Sequence, residues 1–153
     1  MESRKSLLRL AAACLLASAS VVMPWNTPAA LAVSNCTGYA NHTSRSGTRT
    51  ILVPVTSGGS ENCQRGPTSS TLNATTAIQA ALVLCYGRDL GTSGPDHDGI
   101  DGVYGSKTIA AVKWVQKYLG VTVDGVYGPK THNVMQFIFS ADGEGGCATA
   151  KKV

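Results

Sequence analysis

One short phrase occurs twice in this 153-residue chain, and both copies carry side chains that could do chemistry. Residues 101–108 read DGVYGSKT and residues 124–131 read DGVYGPKT, an offset of 124 minus 101, or 23, residues. Each copy brings together a carboxylate, a phenol and an ammonium group, which can hydrogen-bond to a sugar or peptide and lie against its apolar face. The candidate ligand-binding residues are Asp101, Tyr104, Asp124, Tyr127 and, beyond the first copy, Trp114.

The same phrase also has a purely structural interpretation. Asp-Gly favours a turn in which the glycine takes positive φ, and Pro129 suits the first turn of a helix. In this interpretation the tyrosines fill the core and the aspartates accept hydrogen bonds from turn amides. The burial of Tyr104 and Tyr127 decides between the two, because a binding surface must lie elsewhere if both are buried.

Enzymatic alternatives lack the residues that they need. A glycoside hydrolase requires two carboxylates that flank the scissile bond. Asp96, Asp98 and Asp101 instead lie beside glycines in and after a polar loop, as hydrated surface acids typically do. The third acid comes one residue late for a calcium loop, and no glutamate closes it. His42, His97 and His132 form no H-E-x-x-H pair. We therefore expect no catalytic residue, no metal site and no cofactor.

Residues 1–32 have the pattern of an export signal. A basic start precedes an uncharged run over residues 10–23, and residues 30–32, Ala-Leu-Ala, offer a small-x-small cleavage site. The general secretory and twin-arginine routes both remain open. The run is too short to span a membrane comfortably, so we expect no membrane contact after cleavage.

Charge argues against nucleic acid as a partner. The signal holds three of the 13 basic residues and one of the 9 acidic ones, which leaves 10 minus 8, or +2, in residues 33–153. Nucleic-acid binding favours a clustered basic face, and the arginines of this segment are scattered along the sequence.

The cysteines predict two disulfides. Cys14 lies in the signal, and the remaining even set is Cys36, Cys63, Cys85 and Cys147. Paired cysteines are the default in a small exported chain, and a zinc site normally has close C-x-x-C or C-x-x-H pairs. Three pairings are possible. We favour Cys36 with Cys63 and Cys85 with Cys147, because each would pin one end of the chain.

Periodicity divides residues 33–153 into two regions. Residues 33–70 are rich in Ser, Thr and Gly and contain one alternating segment, 48–56, which predicts a single strand or small hairpin. Pro54 places that strand at an edge or near a bend. Apolar residues then recur at i, i+3, i+4 and i+7 in three segments. They are Ile78, Ala81, Leu82 and Cys85; Thr108, Ala111, Val112 and Val115; and Thr131, Val134, Met135 and Ile138. We expect a mainly α fold: a compact, pseudo-symmetric three-helix domain over 71–147, with an irregular, partly β N-terminal extension stapled by disulfides.

Several motifs in fixed order resemble one known family. They are Ile78-Gln79-x-x-Leu82, Asp101-Gly-x-Tyr-Gly-x-x-Thr108, Ala111-Val112-x-x-Val115-Gln116, Leu119-Gly120-Val121 and Val123-Asp124-Gly-x-Tyr-Gly-Pro-x-Thr131. The segment from about 72 to 139 resembles the three-helix peptidoglycan-binding domain found beside bacterial cell-wall hydrolases. The chain departs from the family at His132, where tryptophan is usual, at Val115, where phenylalanine is usual, and in a longer loop over 88–99.

The resemblance implies a secreted, wall-associated, non-catalytic monomer that binds peptidoglycan or its glycan and peptide fragments. A secreted partner or inhibitor of a cell-wall enzyme is the alternative, and a minimal wall hydrolase is a third.

Overall fold

The structure is a computed structural model that describes residues 32–67, 72–141 and 144–153. The predicted signal peptide, except for its last residue, lies outside the described residues. The strands are β1 (Ser34–Asn35), β2 (Gly38–Thr43), β3 (Thr50–Val55), β4 (Cys63–Gln64), β5 (Gln136–Ala141) and β6 (Glu144–Thr149). The helices are α1 (Leu72–Tyr86), α2 (Ser106–Tyr118) and α3 (Pro129–His132).

Four of the strands form one antiparallel sheet in the order β2-β3-β5-β6. Hairpin β2/β3 comes from the N-terminal region and hairpin β5/β6 from the C-terminal end of the chain. The two hairpins meet where Ile51 of β3 pairs with Phe139 of β5. Strands β1 and β4 form a separate parallel pair. The N-terminal extension is therefore part of a sheet that it shares with the C-terminal region.

The prediction of a mainly α three-helix domain was wrong. Helices α1 and α2 are present, but α3 is a single turn that ends at His132, and the predicted third helix becomes β5. Its sequence, QFIFSA, is aromatic and β-branched, a composition that favours strands. A short apolar stripe fits either period, and here pairing with β6 and β3 favours the strand. Phe137 is fully buried as a result.

The N-terminal strand prediction was correct in position but incomplete in its consequences. Strand β3 falls within the predicted segment and forms a small hairpin with β2. It also pairs with β5, so it lies inside the sheet order, and of the two alternatives offered by Pro54 the edge position was wrong. Ile51, Val53 and Val55 of β3 are buried, and α1 packs against both β3 and β5.

Two disulfides tie these elements together. Cys36 is bonded to Cys63 beside the β1/β4 pair, and Cys85 at the end of α1 is bonded to Cys147 on β6. This is the pairing that the sequence analysis favoured. Their sequence separations are 27 and 62 residues, for which loop-closure entropy corresponds to about 4 kcal/mol per bridge.

The core lies where α1, α2 and the inner face of the sheet meet. Its largest apolar members include Ile51, Ile78, Leu82, Val112, Tyr127, Met135 and Phe137. In the part of the chain that the structure describes, no helix has the length and apolar character needed to cross a membrane.

Candidate functional site

Each copy of the repeated phrase forms a tight corner held by one buried glutamine. At the first corner this residue is Gln79 of α1. Its Nε2 group donates to Asp101 Oδ1 at 2.8 Å, to the Val103 carbonyl at 3.1 Å and to Thr108 Oγ1 at 3.1 Å. Its Oε1 atom accepts a hydrogen bond from the Gly102 amide at 2.7 Å. A single side chain thus satisfies the turn and the start of α2.

The second corner repeats these contacts atom for atom around Gln116 of α2. The Nε2 group donates to Asp124 Oδ1 at 2.8 Å, to the Val126 carbonyl at 3.0 Å and to Thr131 Oγ1 at 3.1 Å. The Oε1 atom accepts from the Gly125 amide at 2.9 Å. The two glutamines are 116 minus 79, or 37, residues apart, whereas the turns are 23 apart, because the loop before the first turn is longer.

The aspartates of the phrase act as acceptors within their turns. Asp101 Oδ1 accepts from the Val103 amide at 2.9 Å, and Asp124 Oδ1 accepts from the Val126 amide at 2.8 Å. Burial raises the pKa of the Asp101 carboxyl, but hydrogen bonds from Gln79 and Val103 outweigh it, so the pKa lies below its ordinary value. Asp101 is half-buried and Asp124 is exposed, so part of each carboxylate still borders solvent.

The tyrosines of the phrase are core residues. Tyr104 is 5% exposed and Tyr127 is 0% exposed. The Tyr104 hydroxyl donates to the Gly125 carbonyl at 2.9 Å and accepts from the Tyr127 amide at 3.2 Å, so it joins the first copy to the second. Burial raises the pKa of both phenols above the ordinary value. Neither ring reaches the surface, so the binding surface must be formed by other residues.

A cavity opens beside each corner, and the two cavities differ. The first has a volume of about 200 Å³ and is lined by Asp101, Lys107 and Leu90 among others. The loop over residues 88–99 narrows it: Leu90 is buried there, and the Lys107 side chain lies directly against Gly91. The first corner is therefore largely filled by the chain itself.

The second cavity, about 390 Å³, is larger and combines charged with apolar groups. Asp124 and Lys130 line it together with Val126 and Pro129. Gln64, from the N-terminal extension, completes the wall. A carboxylate, an ammonium group and an apolar wall can together hold a sugar ring or the end of a short peptide.

Trp114 lies at neither corner but in an exposed aromatic cluster on α2. Its indole is stacked on the Tyr118 ring with centroids 5.3 Å apart and planes 8° apart. The Arg88 guanidinium lies over the indole, 4.2 Å from the centroid, and Tyr86 meets Tyr118 edge-on at 6.4 Å. Sequence reasoning identified Trp114 but missed its partners, although Tyr118 is four residues away, the spacing of neighbours on a helix.

Sequence reasoning also missed a buried polar network centred on His132. His132 Nδ1 lies 2.8 Å from the Tyr127 hydroxyl, and Nε2 lies 3.0 Å from Glu61 Oε2. Glu61 also contacts His42 of β2. Burial lowers the pKa of His132, with Glu61 opposing that effect. A neutral imidazole fits these contacts, because one nitrogen accepts from the phenol while the other donates to the Lys151 carbonyl oxygen at 3.1 Å. Glu61 Oε2 is buried beside Nε2 and has no hydrogen-bond partner among the described residues. The sequence signal that could have indicated this network was His132 itself, because tryptophan is usual at that position in the family.

In residues 32–67, 72–141 and 144–153, no group of three or more His, Cys, Asp or Glu side chains has an arrangement that could hold a metal ion.

The two glutamine-held corners define the class of domain. Residues 72–135 match the family model described as a putative peptidoglycan binding domain. The match confirms the resemblance for this segment, which contains α1, α2, α3 and both corners. Both hairpins of the four-stranded sheet lie outside it. No curated protein and no solved structure matches the chain.

Proposed function

We propose that this chain is a secreted, non-catalytic protein that binds cell-wall peptidoglycan. The observation that carries the proposal is that the family match covers both glutamine-held corners. The two disulfides support an oxidising, extracellular setting.

Contact with ligand is assigned to the second corner. Its cavity has about twice the volume of the first, and the loop over 88–99 does not fill it. Peptidoglycan stem peptides carry both amino and carboxylate groups, which Asp124 and Lys130 complement. Val126 and Pro129 provide the apolar wall. A single shallow cavity buries little ligand surface, so binding of soluble fragments should be weak.

Co-sedimentation with purified, protein-free cell-wall sacculi tests the binding proposal. The protein should pellet with the sacculi at both low and moderate salt. Retention in the supernatant under both conditions would reject peptidoglycan binding.

Incubation with the same sacculi tests the non-catalytic part. We expect that no soluble muropeptides are released, and chromatography of the supernatant measures this. Release that increases with protein concentration and time would show that the chain is a hydrolase instead.

A further inference from the structure

A second surface of the domain has the composition of a glycan-binding site. It consists of Tyr86, Arg88, Trp114, Lys117 and Tyr118, and we call it the aromatic–cationic patch. We propose that this patch binds the glycan strand of peptidoglycan, with the exposed Tyr118 ring lying against a sugar, Trp114 supporting that ring by stacking, and Arg88 and Lys117 facing the carboxylates of the attached stem peptides. The proposal rests on the proposed function and adds a second contact surface to it.

The aromatic rings of the patch are exposed to an unusual extent. Trp114 is 40% exposed and Tyr118 is 68% exposed. Large exposed aromatic groups that cluster mark interaction sites, and a tyrosine ring offers both an apolar face and a hydroxyl. The rings are also held in place, because Arg88 covers the indole and Trp114 stacks on Tyr118. Little side-chain freedom remains to be lost when a flat ligand binds.

The charges around the rings are cationic. Helix α2 reads SKTIAAVKWVQKY and has three lysines and no acid. Lys117 follows Trp114 by three residues, a spacing that makes them neighbours on the helix surface. Among the ion pairs of the described residues, none includes Arg88 or Lys117. The nearest acid in sequence, Asp89, accepts a hydrogen bond from the Gly91 amide. A sugar polymer whose peptide branches carry carboxylates complements this combination of an exposed ring and cations that lie outside the ion pairs of the described residues.

The patch and the second corner are on different sides of α2. Trp114 and Gln116 are two residues apart, which places their side chains about 200° apart around the helix axis. Gln116 is buried at the corner while Trp114 faces solvent. A polymer can therefore contact both surfaces, which raises the affinity for intact sacculi above that for single fragments.

Substitution of the exposed patch residues tests the proposal with the full chain and peptidoglycan sacculi. Tyr118→Ala should weaken the sacculus binding constant about fivefold, the order expected for loss of one ring contact. Tyr39→Ala is the matched control, because Tyr39 is 49% exposed on β2. Lys117→Glu should weaken binding by a similar factor at low salt and less at high salt, whereas Lys152→Glu, in the exposed C-terminal tail, should not. Unchanged circular dichroism would show that each variant is folded.

Tryptophan fluorescence provides a direct readout of the patch. Of the two tryptophans, Trp25 lies in the predicted signal peptide, so in residues 33–153 the emission comes from Trp114 of the patch alone. Soluble glycan-strand fragments should shift or quench this emission, and Tyr118→Ala should reduce the effect.

Each outcome discriminates between the proposals. Sacculus binding that is unchanged in Tyr118→Ala and Lys117→Glu, with no change in emission, would overturn the patch and leave peptidoglycan binding intact. No binding by the unmodified protein would reject both. The same measurement is repeated with sacculi from which phosphate-linked polymers have been removed. Retained binding would support the glycan strand as the ligand of the patch. Loss of binding would assign the patch to the anionic polymer and overturn the proposal.

Discussion

At the scale of single residues, the repeated phrase is a device for building corners. The turn chemistry of Asp-Gly was predictable, because short-range preferences determine it: Gly102 and Gly125 take φ values of 73° and 77°. The buried glutamines that hold the two turns were not predictable, because Gln79 and its partner Asp101 are 22 residues apart in sequence. A glutamine in an apolar stripe carries no local mark of the partners that folding brings to it.

The hydrogen bonds of the two buried glutamines predict how much the free energy of unfolding falls when one of these side chains is removed. Gln116→Ala leaves the Gly125 amide, the Val126 carbonyl and Thr131 Oγ1 without their partner in a buried setting. Loss of several buried hydrogen bonds should lower the free energy of unfolding by about 2 to 4 kcal/mol. Denaturant unfolding measures this, with exposed Gln136→Ala as the control. Equal denaturant midpoints for the two variants would contradict a stabilising role for the Gln116 hydrogen bonds.

The His132 network predicts acid sensitivity. Burial holds the pKa of His132 below its ordinary value of 6.5, although Glu61 and the Lys151 carbonyl oppose the shift. The unfolded chain then binds the proton more readily than the folded chain, so the contribution to stability is complete above pH 6.5 and is lost as the pH falls below that value. Unfolding free energies measured between pH 7.5 and 5, in steps of about half a unit, should show this decline.

His132→Gln provides the comparison for that titration, because an amide can make similar hydrogen bonds without titrating. Its stability should depend less on pH over the same interval. An identical pH profile in the variant would assign the acid sensitivity to other groups.

At the scale of elements, helices α1 and α2 were predictable and strand β5 was not. The stripes of α1 and α2 are long enough to distinguish a helix from a strand, whereas residues 136–141 are too few for that distinction. Of the two partners that favour a strand, β3 was predicted as a strand but is distant in sequence, and β6 has a sequence that gives a weak strand signal. The EGGCAT sequence of β6 in particular has two glycines, which normally weaken strand formation.

Those two glycines should differ in their tolerance of a larger side chain, and this difference tests the pairing of β5 with β6. A Cβ atom added at Gly146 would lie 2.8 Å from the Phe139 ring, whereas one at Gly145 would meet nothing closer than 4.0 Å. Gly146→Val should therefore lower the free energy of unfolding by about 1 to 3 kcal/mol, and Gly145→Val should be close to neutral. Thermal unfolding of both variants measures the difference. Equal effects would argue against the β5/β6 register.

At the scale of the whole molecule, the family domain and the flanking hairpins share one core. Strand β3 contributes Ile51 and Val53 to it, and the backbone of Arg65 pairs with Tyr127 at the second corner. The matched segment, 72–135, thus lacks part of its own interior.

We therefore expect residues 72–153 alone to be unstable. Removal of 33–71 exposes the face of α1 that packs against β3 and the edge of β5 that pairs with it. A small domain tolerates little loss of apolar burial. Far- and near-ultraviolet circular dichroism with denaturant titration should show no cooperative transition. A cooperative transition similar to that of residues 33–153 would show that the matched domain folds by itself.

The contact made by the Tyr104 hydroxyl also limits how this architecture can grow. Each phrase offers a phenol to the phrase that follows, and Tyr104 uses it to hold the backbone of the second copy. Tyr127 has no third copy ahead of it, and its hydroxyl meets His132 instead. His132 thus takes the place of a following copy as the partner of this phenol. The equivalent position of the first copy, 132 minus 23, is Ile109, so an engineered array with a further phrase would need an apolar residue in place of His132 in every copy but the final one.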